Sequence, residues 1–141
     1  MCADAAGALD ALLAMTIEHL TQRRQFGKPL AAFQVLQHRV ADMAMTLEQV
    51  RSMACVAAMA VDSGDVARRR RLVSAAKAFV APRVRRCAAD AIQLHGAMGM
   101  TDECRVGQIA RRLITDALLF GDASFHLRRF ASTSSPSGDT R

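Results

Sequence analysis

The 141-residue chain contains no tryptophan and no tyrosine, and its six phenylalanines bring the aromatic share to only 4%. Strands favour aromatic and β-branched side chains, so a core this poor in aromatics argues against a sheet and for close-packed helices of Ala, Leu, Val and Met. With three prolines and eight glycines, long stretches go unpunctuated, which predicts long uninterrupted helices. Cys2, Cys55, Cys87 and Cys104 are too dispersed to form the close pair that a zinc site or a redox dithiol needs. They suit small core or surface positions in a reducing compartment. No apolar run approaches the roughly 20 residues of a membrane span, and MCADAAGALD lacks the basic start and continuous apolar stretch of a signal peptide. The expectation is a soluble cytoplasmic protein with no membrane partner.

Lysine is scarce as well. Lys28 and Lys77 are the only two, so the formal net charge of +6 is carried by arginine, notably the run Arg68 to Arg71 and the cluster Arg83, Arg85, Arg86. Such a balance raises the question of nucleic acid. No aromatic stacking platform accompanies the arginines, so a solvated or anion-paired helical face is the expected reading and nucleic acid is not an expected partner. His19, His38, His95 and His126 have no carboxylate or second histidine at ligand spacing, and no metal site is expected. Glu18 and Glu48 have no identifiable partner carboxylate and suit solvated helix charges.

Apolar positions set the architecture. Leu9, Leu13, Thr16, Ile17 and Leu20 recur at helical spacing until Gly27 and Pro29 interrupt, with Asp4 as a candidate cap. Phe33, Leu36, Val40, Met43, Leu47, Val50, Ala54, Ala57 and Val61 then alternate steps of three and four. After a loop at Asp62-Ser63-Gly64-Asp65, Val73, Ala76, Val80, Val84, Cys87, Ala91, Leu94 and Met98 repeat the pattern. Two long helices in an antiparallel hairpin follow, each about 45 Å long, with Pro82 kinking or locally opening the second. HGAMGMT ends that helix, Thr101 with Asp102 and Glu103 predicts the start of the next, and a short helix and a further one then carry Val106, Ile109, Leu113, Ala117 and Phe120 inward. The predicted fold class is all-α, an up-and-down bundle of four to five helices over residues 1–131, with a polar, disordered tail over 132–141.

Three segments carry more than packing logic: RRQFGKPLAAFQVLQHRVADM from Arg23, QLHGAMGMTDE from Gln93, and RRLITDALLFGD from Arg111. In this order and spacing they resemble the C-terminal helical domain of the acyl-CoA dehydrogenase family, from about Leu9 to Ala131. That family removes two hydrogens from the α and β carbons of an acyl-CoA thioester, using a carboxylate base and FAD, and its complete chains also hold an N-terminal helical and a central β domain. The resemblance implies a part of a flavoprotein oxidoreductase of fatty acid metabolism, without a complete active site.

On this resemblance Arg23 contacts the FAD diphosphate, usually across a dimer, and a guanidinium suits phosphate oxygens because it is a planar fork of donors that stays charged. Without the resemblance, Arg23 is a solvated helix-end charge. Gln25 and Gln34 fall where the family meets the diphosphate and adenosine, although both also suit exposed polar positions. Phe26 is expected to pack at the turn, beside a Gly27 that reverses the backbone, and to touch the cofactor. Gln93 and Gly96 match the family's Gln-x-x-Gly segment, where a missing side chain admits the cofactor to the backbone; a glycine-rich helix end is the alternative. Ala97 departs from the common second glycine.

No catalytic residue is assigned, because the position matching the family's glutamate is Gly121, which cannot take a proton. Asp122 is one residue out of register, about 100° round a helix. Three explanations stay open: a base on upstream chain, a base on a partner subunit of a heteromeric enzyme, or a non-catalytic helical oligomerisation module. The expected partners are a second copy (dimer or tetramer), the family's N-terminal domains or a partner subunit, and acyl-CoA in the complete enzyme. A third class, an anion-binding protein recruited by its arginines, also remains.

Overall fold

Leucine and alanine at three- and four-residue spacing form α1 over Cys2–Gln22, which buries Ala5, Leu9, Leu12, Leu13, Thr16 and Leu20. Thr16 is tolerated in the core because its hydroxyl donates to the Leu12 carbonyl at 2.7 Å. Asp4 does not cap this helix. Met1 holds the cap position, and the Asp4 carboxylate pairs instead with Arg112. The computed structural model describes residues 1–133. The predicted tail lies, from residue 134 on, outside the described residues.

The two long helices form as the spacing predicts: α2 over Gln34–Val61 and α3 over Val66–His95. Asp65 caps α3, its carboxylate accepting from the Arg68 amide at 3.0 Å. The helices run antiparallel, with Arg83 Nε donating to Gln49 Oε1 at 3.4 Å and Cys87 facing Thr46. Helix α3 continues through Pro82. It ends one turn earlier than Met98 suggested, because Gly96 takes a left-handed φ of +63° and the chain tightens into a 3-10 turn over Gly96–Met100.

Helix α4 spans Arg105–Leu118 and α5 spans Ala123–Ser132. The expected start of α4 at Thr101 is incorrect. Thr101 Oγ1 turns back to donate to the Met98 carbonyl at 2.9 Å, so its hydroxyl closes the preceding turn and leaves Cys104 at the cap. Val106, Leu113 and Ala117 point inward as expected, and Ile109 is half-buried. Phe120 does not: it is 82% exposed in the turn after α4.

Helix α3 touches each of the other four. Its alanines, Ala76, Ala81, Ala88 and Ala91, are buried together with Val80, Val84 and Cys87, and such small side chains let several neighbours approach one axis closely. The core closes with Leu9, Leu12, Met43, Val50, Val106 and Leu113, all essentially inaccessible. Lys77, only 7% exposed, donates its ammonium to the Asp116 carbonyl near the end of α4, where a cation complements the helix dipole. Among the described residues no helix is long and apolar enough to cross a membrane.

Leu113 is fully buried between α3, α1 and the rest of the core cluster. Leu113→Ala is expected to lower unfolding stability by about 2–5 kcal/mol, measured by urea denaturation, while Leu127→Ala on an exposed face changes it by about 0.5 kcal/mol or less.

Candidate functional site

Helix α1 ends at Gln22 and hands the chain to a two-stranded hairpin, β1 (Arg24–Gln25) and β2 (Lys28–Pro29), with Arg24 opposite Pro29 and Gln25 opposite Lys28. Only Phe26 and Gly27 remain for the turn, and both have positive φ, +53° and +78°. That is the backbone of a tight hairpin turn whose twist matches the strands, normally built from Asn-Gly. A phenylalanine in the left-handed region is strained, and this one is also 88% exposed. Phe26 sits at the turn as expected, and its ring is turned to solvent. It stands out from the bundle, edge-on to Phe33 at 6.2 Å, while Lys28 sits over the other aromatic ring at 4.2 Å.

Around this hairpin the structure gathers most of the residues singled out from the sequence. Arg23 closes α1, its amide bonded to the His19 carbonyl at 2.9 Å and its own carbonyl accepting from Leu30. Its guanidinium is exposed and enters none of the ion pairs found among the described residues. Gln25 lies on β1, and Gln34 opens α2 immediately after Phe33. Gln93 is exposed in the last turn of α3, and Gly96 follows with open space where a side chain would project.

Two histidines join these segments, and the sequence reading missed them as a pair. The rings of His19 and His95 stack at 4.4 Å, and His95 Nδ1 lies 2.9 Å from the Ala91 carbonyl. This contact holds the α1 end that carries Arg23 against the α3 end that carries Gln93 and Gly96. Burial pushes the His19 imidazole below its ordinary value, with His95 and Arg23 adding to the effect. His95 sits two residues after Gln93 and His19 one helical turn before Arg23, but nothing in their spacing announces that they meet.

The turn between α4 and α5 forms a second cluster, at the other end of α1. Phe120 and Gly121 both have positive φ, +59° and +102°. His126 Nε2 lies 3.0 Å from the Phe120 carbonyl and its Nδ1 3.4 Å from Ser74 Oγ. Burial lowers the His126 pKa, and the Phe120 carbonyl partly opposes that. Met1, Val61, Val73, Lys77, Phe120 and His126 border an apolar cavity of ≈ 360 Å³. A Cβ on Gly121 would lie 2.5 Å from Phe125 Cδ1, so this turn has closed around glycine and excludes a side chain there. Asp122 is exposed and caps α5, its carboxylate accepting from the Phe125 amide at 2.7 Å.

The two clusters are separated by the length of α1, about 30 Å for 21 residues. One copy of the chain therefore cannot bring Arg23 and Gly121 to the same small molecule.

Gly121→Ala is expected to cost about 1–2 kcal/mol from the left-handed backbone alone, and more from the Phe125 contact. In a Phe125→Ala background the added cost should shrink; equal costs in both backgrounds, by urea denaturation, would refute the ring contact. The titrations make a second prediction. Both His19 and His126 are pushed below 6.5 on folding, so as pH falls through that value the unfolded chain takes up protons first. Stability present above pH 6.5 should be lost on acidification, and His126→Gln should flatten that decline in urea midpoints measured from about pH 7.5 to about pH 5.

Comparison with known proteins bears on these clusters. The family described as "Acyl-CoA dehydrogenase, C-terminal domain" matches residues 1–134. Acyl-CoA dehydrogenase IpdE2 of Mycobacterium tuberculosis is 32% identical over 132 residues, covering 94% of this chain and 39% of that protein. Among solved structures, butyryl-CoA dehydrogenase from Megasphaera elsdenii superposes with a TM-score of 0.84 at 29% identity, covering 93% of this chain and 34% of that one. The FAD complex of PigA superposes with a TM-score of 0.82 at 27% identity, with 93% and 34% covered. The chain thus spans between a third and two fifths of the length of these relatives.

Proposed function

Because the chain belongs to the acyl-CoA dehydrogenase C-terminal-domain family, we propose that it supplies the helical, FAD-contacting part of a flavin-dependent acyl-CoA dehydrogenase assembly. The observation that carries this reading is the hairpin end. An exposed guanidinium and exposed amides neighbour a strained, solvent-facing phenylalanine along the chain, and the His19–His95 stack ties an unobstructed glycine backbone to the same end of the bundle. Such a donor set suits a diphosphate joined to a planar ring: Arg23 offers two parallel N–H donors, Gln25, Gln34 and Gln93 offer amides, and Gly96 admits close backbone approach. Phe26 offers an apolar face, and the His19–His95 stack keeps the two halves of the cradle in register.

Bound there, FAD would supply a two-electron acceptor for α,β-dehydrogenation of an acyl-CoA thioester. The residues of this chain would bind and orient it. This reading assigns them no proton acceptor, because the position matching the family's glutamate is Gly121 and Asp122, one residue on, serves as the α5 cap. The separation of the two clusters favours an assembly in which Arg23 of one copy serves a site completed by another chain, as a dimer or tetramer. The same closed turn favours a second reading, in which this chain is the non-catalytic subunit of a heteromeric enzyme whose partner carries the base. A cytoplasmic location and a role in fatty acid metabolism accord with either.

The test is titration of the chain with FAD, followed by flavin fluorescence and sedimentation together. The reading expects saturable binding that tracks an assembled species and weakens about 10- to 100-fold in Arg23→Ala, the range for one lost charge-assisted interaction. A well-folded chain that binds no FAD, or binds it equally well without Arg23, would overturn the assignment.

A further inference from the structure

The first two turns of α3 are electrostatically at odds with their position. After the Asp65 cap and Val66-Ala67 come four successive arginines, Arg68 to Arg71, and the first turn of this helix contains no acidic residue. A helix N-terminus carries partial positive charge, so cations there weaken the helix, and like charges three apart, such as Arg68 and Arg71, weaken it further. Arg69 is employed locally, donating to the Ser63 carbonyl at 3.2 Å. Arg68, Arg70 and Arg71 are exposed and enter none of the ion pairs found among the described residues. Asp62 and Asp65 are the acidic groups beside them, and Asp65 is occupied as the cap.

Helix α5 brings more positive charge to the same place. The guanidinium of Arg71 lies 5.4 Å above the Phe130 ring, which sets the last turn of α5, with Arg129 next to Phe130 in sequence, beside the α3 run. Val61 and Val66 end α2 and begin α3 on either side of the loop that leads into the run, Leu127 stands one turn before Phe130 on α5, and all three are exposed. Apolar side chains rimmed by arginine are the composition of a protein-binding surface. Stacking on nucleobases would need a free ring, and the one adjoining these arginines is covered by Arg71.

We infer that the α3 start and the α5 end form a docking surface for an acidic protein partner, whose carboxylates pair with Arg68, Arg70 and Arg71 around the exposed Val61, Val66 and Leu127 side chains. Charge complementarity identifies the occupant: the surface keeps a cationic cluster at the cost of helix stability, and an anionic partner removes that cost on binding. The surface is separate from the hairpin cradle, so the inference stands whether or not FAD binds there.

The test uses a labelled glutamate-rich peptide as probe, with a single-stranded oligonucleotide of equal charge as comparison, read by fluorescence anisotropy. Arg68→Gln/Arg70→Gln/Arg71→Gln should weaken peptide binding about tenfold or more. Arg39→Gln/Arg85→Gln/Arg105→Gln, which removes the same charge elsewhere, should change it by about twofold or less, and binding should fall steeply with salt. The first variant should also unfold at a higher urea concentration than the parent, because the repulsion at the α3 start is gone. Equal weakening by the two variants, absence of peptide binding, tighter binding of the oligonucleotide, or no gain in the urea midpoint would each overturn the proposal.

Discussion

Everything in this molecule leans on α3. A helix that touches four others must present a continuous apolar stripe slim enough for all of them to reach it, and alternation of alanine with valine and cysteine along that stripe meets both demands. Where that helix carries a polar group inward, the group has a specific partner. Lys77 reaches the Asp116 carbonyl, Ser74 faces His126, and His95 stacks on His19. These contacts tie α3 to α4, α5 and α1 in turn, so the helix fixes directions as well as burying area. A buried polar group with one good partner specifies an arrangement more sharply than another methyl group would, because leaving it unpaired is costly.

The two ends of the bundle have different characters as a result. At the hairpin end the chain accepts strain: a phenylalanine with positive φ is pushed into solvent, beside an uncommitted guanidinium and a bare glycine backbone. Strain that the rest of the structure holds in place marks a position kept for something other than stability. The α4–α5 turn is strained as well, but there the space has been filled. The Phe125 ring occupies the room a side chain on Gly121 would need, and His126 locks the carbonyl before it. One end is exposed and open, and the other is closed around Gly121.

Much of this was legible in the residues. Steps of three and four over Leu36 to Val61 and Val73 to Leu94 announce α2 and α3, since long periodic runs leave little alternative to an amphipathic helix. The Asp62–Asp65 break was equally plain. The α4 start was misplaced because Thr101 can bond forward or backward, and only the packing of the 3-10 turn selects backward. Phe120 was taken for a core residue because it continues the α4 spacing, yet the helix stops at Leu118 and the chain leaves the pattern two residues before it matters. The candidate site residues Arg23, Gln25, Phe26, Gln34, Gln93 and Gly96 rest on family resemblance, with no local pattern to mark them.

What the sequence by itself determined is the set of elements, through composition and apolar period, because those depend on neighbours within a few residues. Tertiary structure alone decided which ends meet. His19 and His95 stand 76 positions apart and Ser74 and His126 stand 52 apart, and no local preference reports contacts across such separations. It also decided that Arg23 and Gly121 lie at opposite ends of α1, about 30 Å apart. A rigid helix between two motifs converts their separation along the chain into distance, and only the folded bundle shows that no return path brings them together.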